Sequence, residues 1–251
     1  MTLATLSRDG GKDLVLLLHG IGCVKENFAA LWEAPELAGL ALLAPDLPGH
    51  GASQGLTPEA WTMEGMASAL RDLLAERVTE GRRLHLVAHS MGGAVGLLLA
   101  REAWLSLASF VNVEGNLIAE DCDLLSRRTA EMDLALFRDR KFDRLKARSR
   151  AAEDPGLRAW AGWVEACPAE AFHASARSLV AWSDGGELLR IFRSLAVPKA
   201  YVFGERSANP AVLTRLGAIE QVPIADCGHF VMTEKPAALA RAVSWVIAQA
   251  R

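Results

Sequence analysis

The sequence predicts an α/β fold: a doubly wound, mostly parallel sheet flanked by helices, with an inserted helical cap. Three observations carry this. Short, continuously apolar runs recur along the chain, as strands buried on both faces require. Longer helical patterns alternate with them, which is the order of a doubly wound sheet. One long interval, from about Leu117 to Ala196, contains no such run and is too long for a loop in a compact domain.

The first run, Leu14–Leu18, stops at His19-Gly20, and the second, Ala41–Ala44, stops at Pro45-Asp46. Leu84–Ala88 and Phe110–Val113 follow, then Ala200–Phe203 ending at Gly204, and Ala218–Val222. Between them the apolar spacing predicts helices over Glu26–Leu37, Thr57–Val78, Met91–Trp104 and Pro236–Gln249. Thr57-Pro58-Glu59 is a good helix start, because Thr caps and Pro is tolerated in the first turn. The interval without strands reads as several helices, broken near Asp154-Pro155-Gly156, Pro168 and Gly185-Gly186. The expected division is therefore a core of residues 1–116 and 197–251 with a cap of residues 117–196.

At 251 residues the chain can bury a sizeable core without disulfide or metal staples. A net charge of −3 supplies no field for neutralising phosphates, so nucleic acid is not an expected partner. The one basic stretch, Arg138–Arg150, carries Asp139, Asp143 and apolar residues at helical spacing; it reads as a solvated helix face, with a basic binding patch as the alternative. Cys23, Cys122, Cys167 and Cys227 are scattered, which suggests neither a zinc site nor a disulfide framework. Met1–Asp13 lacks the basic start and apolar run of a secretory signal, and no window of 18 uncharged apolar residues occurs. A cytoplasmic compartment and no membrane span are the default expectations.

The strongest chemical signal is Leu84-His85-Leu86-Val87-Ala88-His89-Ser90-Met91-Gly92-Gly93-Ala94. A buried strand runs into a small-x-Ser-x-Gly turn, and a helix starts at once. Such a turn lifts a serine hydroxyl above the sheet edge, and strand and helix then approach so closely that only small residues, here Ala88 and Gly92, fit two positions either side. The helix start aims amide N–H groups at the same place, where an oxyanion would form. The segment resembles the nucleophile elbow of the α/β-hydrolase family, departing from its usual G-x-S-x-G by Ala88. Two more segments are similar to that family in order and position. Leu14–Leu18 followed by His19-Gly20-Ile21-Gly22 resembles its H-G loop, which implies that the backbone N–H of Ile21 joins that of Met91 in an oxyanion hole. Asp46-Leu47-Pro48-Gly49-His50-Gly51-Ala52-Ser53 resembles its D-x-P/R-G-x-G-x-S loop; Asp46 and Ser53 are expected to bond backbone groups there. His19 is expected to be structural.

A serine hydroxyl needs a base to take its proton. Asp226-Cys227-Gly228-His229-Phe230, followed by Glu234-Lys235-Pro236, resembles the family's late histidine segment, which makes His229 the implied base. The acid departs from the pattern. The family's G-x-x-D turn reads Gly204-Glu205-Arg206-Ser207 here, with Ser where the Asp belongs. Glu114 is the leading substitute: it ends the Phe110–Val113 strand at the edge where active groups gather, and some haloalkane dehalogenases of the superfamily place their acid similarly. Glu205 and Asp226 are the alternatives, and a contact at the hinge of the cap is the structural reading of Glu114.

The catalytic set expected is thus Ser90, His229 and Glu114, with Ile21 and Met91 as oxyanion donors and no cofactor or metal. The resemblance implies a hydrolase of small or medium esters, thioesters or lactones. C–C hydrolase, perhydrolase or amidase chemistry, or a weakly catalytic ligand receptor, are the alternatives. Ser90 disfavours the dehalogenase and epoxide-hydrolase branches, which use Asp there. The expected partner is a small-molecule substrate with an apolar moiety. Phe137, Phe142, Trp160, Trp163, Phe172 and Trp182 are candidates to line its pocket, one or two of them in contact. No charged cluster for an anionic substrate is evident in the cap.

Overall fold

Seven strands form one sheet in the computed structural model, which describes residues 2–54, 57–78, 81–122 and 125–250. They are β1 (Thr5–Arg8), β2 (Asp13–Leu18), β3 (Ala41–Pro45), β4 (Arg83–His89), β5 (Leu107–Val113), β6 (Lys199–Gly204) and β7 (Glu220–Ile224). Their order is β1-β3-β2-β4-β5-β6-β7, with β1 antiparallel to β3 and all other pairs parallel. β2 and β3 are buried along their whole length, and β4, β5 and β6 nearly so. Helices cover the sheet, which is why these five strands read as unbroken apolar runs.

The two edges differ from the sequence reading. β1 is a partly exposed Thr-Leu-Ser-Arg edge with no apolar run to announce it. β7 begins at Glu220, two residues later than expected, because Gly217 turns the chain at φ +65° and leaves Ala218 and Ile219 in the turn. As an edge strand it tolerates Glu220 and Pro223. Residues 25–37 form 3₁₀ turns, Lys25–Glu33 and Pro35–Leu37, in place of one α-helix; Pro35 takes away the donor a continuous helix would need. Helix α1 spans Met63–Ala75 and is capped by Thr62, whose Oγ1 accepts from Gly65 N–H at 3.1 Å. Thr57 instead precedes a separate 3₁₀ turn, Pro58–Trp61. Helix α2 spans Met91–Leu99, and the last helix spans Pro236–Ala248.

Among the described residues of 117–196 there is no strand. Helices run over Ser126–Ala130, Phe142–Arg150, Pro155–Trp163 and Ala169–Asp184. Asp154 accepts from Leu157 N–H at 2.9 Å and so starts one of them. Phe137, Phe142 and Phe172 pack against one another as a small apolar centre. The next helix, Glu187–Ser194, packs against α2, and its Phe192 meets Phe110 of β5 at 5.7 Å between ring centroids.

The loop after β3 is held by a buried carboxylate. Asp46 accepts from the N–H of Lys25 at 2.7 Å and of Ala52 at 2.8 Å, and pairs with Lys25 Nζ at 2.9 Å. Ser53 Oγ accepts from Ala4 N–H at 2.9 Å, tying the edge strand to the same loop. Asp46→Ala leaves two backbone amides without their acceptor and takes the buried carboxylate from Lys25, whose Nζ keeps only Glu26 at 2.9 Å. The expected loss is about 1 to 3 kcal/mol, the range for leaving hydrogen-bond donors without their acceptor, read as a lowered urea midpoint with unchanged slope.

Candidate active site

β4 delivers the chain to Ser90, which adopts φ 51° and ψ −122° before α2 begins. Few non-glycine residues accept this backbone, and here the surroundings impose it. Ser90 N–H donates to Val113 C=O at 3.1 Å, and Ser90 C=O accepts from Gly93 at 2.8 Å and Asn116 at 3.2 Å. The end of β5 thus laces the elbow from below. A Cβ at Gly92 would lie 2.5 Å from the carbonyl oxygen of Leu18, so no side chain fits there. The fully buried methyl of Ala88 does fit.

Ser90 and His229 line one cleft of about 1420 Å³. His229 stands in the loop after β7, and its Nδ1 donates to Glu114 Oε2 at 2.8 Å. Its side chain is 39% exposed while that of Glu114 is 8% exposed, so the imidazole faces the cleft with the carboxylate behind it. Glu114 Oε1 accepts from Gly204 N–H at 2.7 Å and from Ser207 Oγ at 2.6 Å. The serine that stands in the family's acid position therefore supports a carboxylate from the neighbouring strand. Glu114 itself sits at φ 46°, an uncommon backbone for its type that turns its side chain across the end of β6. Glu205 and Asp226 are both exposed.

Burial pushes the Glu114 carboxyl up, but His229, Ser207 and the Gly204 N–H outweigh it and hold it below the usual range. Burial pushes His229 down, and the adjacent Glu114 charge, helped by Asp121, raises it above 6.5 overall. Asp121 is pushed up to about 6 by burial, although Leu117 and Ile118 N–H groups donate to it. His89 lies under the pair: its Nε2 donates to His229 C=O at 3.1 Å, and the rings stand 4.6 Å apart.

The N–H groups of Ile21 and Met91 donate to no other group among the described residues. The loop carrying Ile21 is fixed at both ends. His19 is buried; its Nδ1 donates to Gly20 C=O at 2.8 Å and its Nε2 accepts from Leu47 N–H at 2.9 Å. Burial pushes it down to about 4, so it is the neutral, structural histidine the sequence suggests. Trp160 Nε1 donates to Ile21 C=O at 2.8 Å, a contact from the helical segment that no sequence motif announces. Gly22, at φ +68°, lies so close that a Cβ there would come within 2.9 Å of the Trp160 ring.

Of the six aromatics singled out, Phe137 and Trp160 line the cleft. Cys23 also lines it, but burial pushes its thiol up, away from the reactive thiolate. Among the described residues no group of three or more His, Cys, Asp or Glu is placed to share a metal ion. The reading of the helical segment as lacking a charged cluster needs correction: Arg128, Lys141, Arg144 and Arg148 all line the cleft. Lys141, Arg144 and Arg148 follow a helical i, i+3, i+7 spacing, a signal present in the sequence but masked there by Asp143 and Lys146 between them.

The profile of the alpha/beta hydrolase family matches residues 15–242, and the chain belongs to that family. It is a hydrolase. Lipase LipV of Mycobacterium tuberculosis is 29% identical over 255 residues, spanning 93% of this chain and 92% of that one. The fold is similar to that of the N-acyl homoserine lactonase AidH complexed with N-butanoyl homoserine, with a TM-score of 0.79 at 19% identity over 99% and 93% of the two chains. A putative aryl esterase from Burkholderia cenocepacia gives a TM-score of 0.77 at 22% identity, covering 99% and 94%. Among the described residues no helix is long and apolar enough to cross a membrane.

The raised His229 gives a pH test. A group whose folded pKa is raised keeps its proton to higher pH, so neutral imidazole, the form that accepts a proton, fills only above 6.5. The acidic limb of kcat/KM should therefore have its midpoint above 6.5. In Glu114→Gln the limb should move to lower pH while the plateau falls about 10³- to 10⁴-fold, the scale of loss when a histidine base is deprived of its carboxylate. A limb that stays put would show that Glu114 does not set the charge of His229.

Proposed function

We propose that this protein is a serine hydrolase that cleaves a small or medium carboxylic ester, thioester or lactone through an acyl-enzyme. The observation that carries the reading is the 2.8 Å bond from His229 Nδ1 to a buried carboxylate beside a strained serine elbow. Ser90 Oγ attacks the carbonyl carbon while His229 Nε2 takes its proton. The carbonyl oxygen becomes an oxyanion held by the N–H groups of Ile21 and Met91. The carbon–oxygen bond to the alcohol then breaks, and His229 returns the proton to the leaving oxygen. Water repeats the sequence on the acyl-enzyme: His229 takes one of its protons, the acid is released and the proton returns to Ser90. Glu114 holds the imidazole in the required tautomer and offsets its positive charge.

The helices of Leu117–Asp184 form the cap over this site in our reading. Glu187–Ser194 packs on α2 and the sheet and is better counted with the core. The lipase that matches over nearly the whole chain supports ester cleavage in general. The receptor alternative drew on Ser207 alone, and with Glu114 on His229 that ground no longer favours it.

Ser90→Ala should abolish labelling by a fluorophosphonate and lower ester turnover about 10⁴- to 10⁶-fold, with the melting midpoint little changed. His229→Ala should cost about as much, and the double variant no more than either, since nucleophile and base act as one unit. Full turnover in Ser90→Ala would end the serine-hydrolase reading.

A further inference from the structure

The cation row on the cleft wall is the feature that the proposed chemistry does not use. Lys141, Arg144 and Arg148 sit at the start of and within the helix Phe142–Arg150, and at 100° per residue they fall within about 60° of one another. Arg128, from the helix Ser126–Ala130, lines the same cleft. None of the four enters an ion pair among the described residues. Of the other four cations between Arg138 and Arg150, all off the cleft, three are paired: Arg138 with Asp139, Lys146 with Asp143 and Glu165, and Arg150 with Glu165. Most of the off-cleft cations thus have a carboxylate partner, and the four that line the cleft have none among the described residues.

The carboxylates of the cleft do not balance them. Glu114 is engaged by His229, and Glu120 by Arg215 at 2.7 Å. Asp121 accepts from two backbone N–H groups, and Asp154 starts a helix with Arg206 beside it at 3.7 Å. Beside the cations the wall is apolar, with Leu125, Met132, Phe137 and Leu145. A site that joins an apolar wall to several open guanidinium groups matches a ligand with an apolar stem and an anionic head, since guanidinium forks grip carboxylate and phosphate.

We propose that the cleft takes an ester bearing a carboxylate or phosphate on an apolar stem, with the anion against Arg128, Lys141, Arg144 and Arg148. The placing of the ester group rests on the reading of Ser90 as nucleophile; the anion site does not. The geometry leaves the anion on the acyl or the alcohol side of the scissile bond, and two matched pairs of compounds separate these. Monohexyl adipate against hexyl methyl adipate places it on the acyl side. The hexanoyl ester of 2-hydroxyethyl phosphate against ethyl hexanoate places it on the alcohol side.

Calorimetric binding to the Ser90→Ala protein, which does not consume the esters, is the primary measurement. The charged member of one pair should bind about tenfold tighter at low salt, the scale of a few guanidinium–anion contacts acting together. High salt should erase most of the advantage. Adding Arg144→Gln and Arg148→Gln, at two exposed positions, should do the same while neutral binding stays within about twofold. Equal binding within both pairs, or an advantage unmoved by salt and by the two substitutions, would overturn the proposal. Turnover by the unsubstituted enzyme separates this from the hydrolase reading. Cleavage of both esters of a pair with no charge preference sinks the anion site and leaves the serine mechanism. Charge-selective binding with neither turnover nor fluorophosphonate labelling does the reverse.

Discussion

The bond between Glu114 and His229 joins three parts of the chain that share no local sequence. Glu114 ends β5, Gly204 and Ser207 belong to the turn after β6, and His229 follows β7. A carboxylate that is almost fully buried is tolerated only when its oxygens are occupied. Oε1 takes two donors from the β6 turn and Oε2 takes the imidazole, so the carboxylate fixes the spacing of three loops at once. The elbow is drawn into the same arrangement through the Ser90 N–H to Val113 bond, one residue before Glu114. Position and charge are thus set together. The neighbours that keep Glu114 ionised are those that hold it behind the imidazole.

Much of this was legible in the sequence, for reasons that differ from residue to residue. Ser90 stands out because a small-x-Ser-x-Gly turn between a buried strand and a helix pushes a hydroxyl out of the core at the sheet edge. The contact at Gly92 shows how little room that turn leaves. Glu114 stands out because a carboxylate directly after a buried strand has to find a partner. What the sequence hid was the partner's side. Ser207 reads as a lost acid, yet its hydroxyl donates to a carboxylate one strand over. The parallel pairing of β5 and β6 brings both strand ends to one place, and no local pattern encodes that.

The misread elements share a cause. β1 and β7 are edge strands, half-exposed and polar, and they lack the apolar continuity that marks the strands between them. The helix cap at Thr62 was hidden by an equally good signal at Thr57, and both start a helical turn. The Trp160 bond to Ile21 links positions 139 residues apart, and a tryptophan in an apolar helix gives no sign of where its N–H goes. Lys141, Arg144 and Arg148 share a face, but only the fold shows that the face borders the cleft.

Ser90 and Glu114 are two of only three non-glycine residues at positive φ among the described residues; the third is Asp226. Backbone of this type costs about 1 to 3 kcal/mol at each position. For a molecule whose whole margin against unfolding is about 5 to 15 kcal/mol, that is a sizeable share concentrated at two neighbouring points. Glycine would relieve both. Selection for endurance alone, with no demand for turnover, would push positions 90 and 114 toward glycine and lose the hydroxyl and the carboxylate in doing so. Side chains at both places are therefore held against the local preference of the backbone.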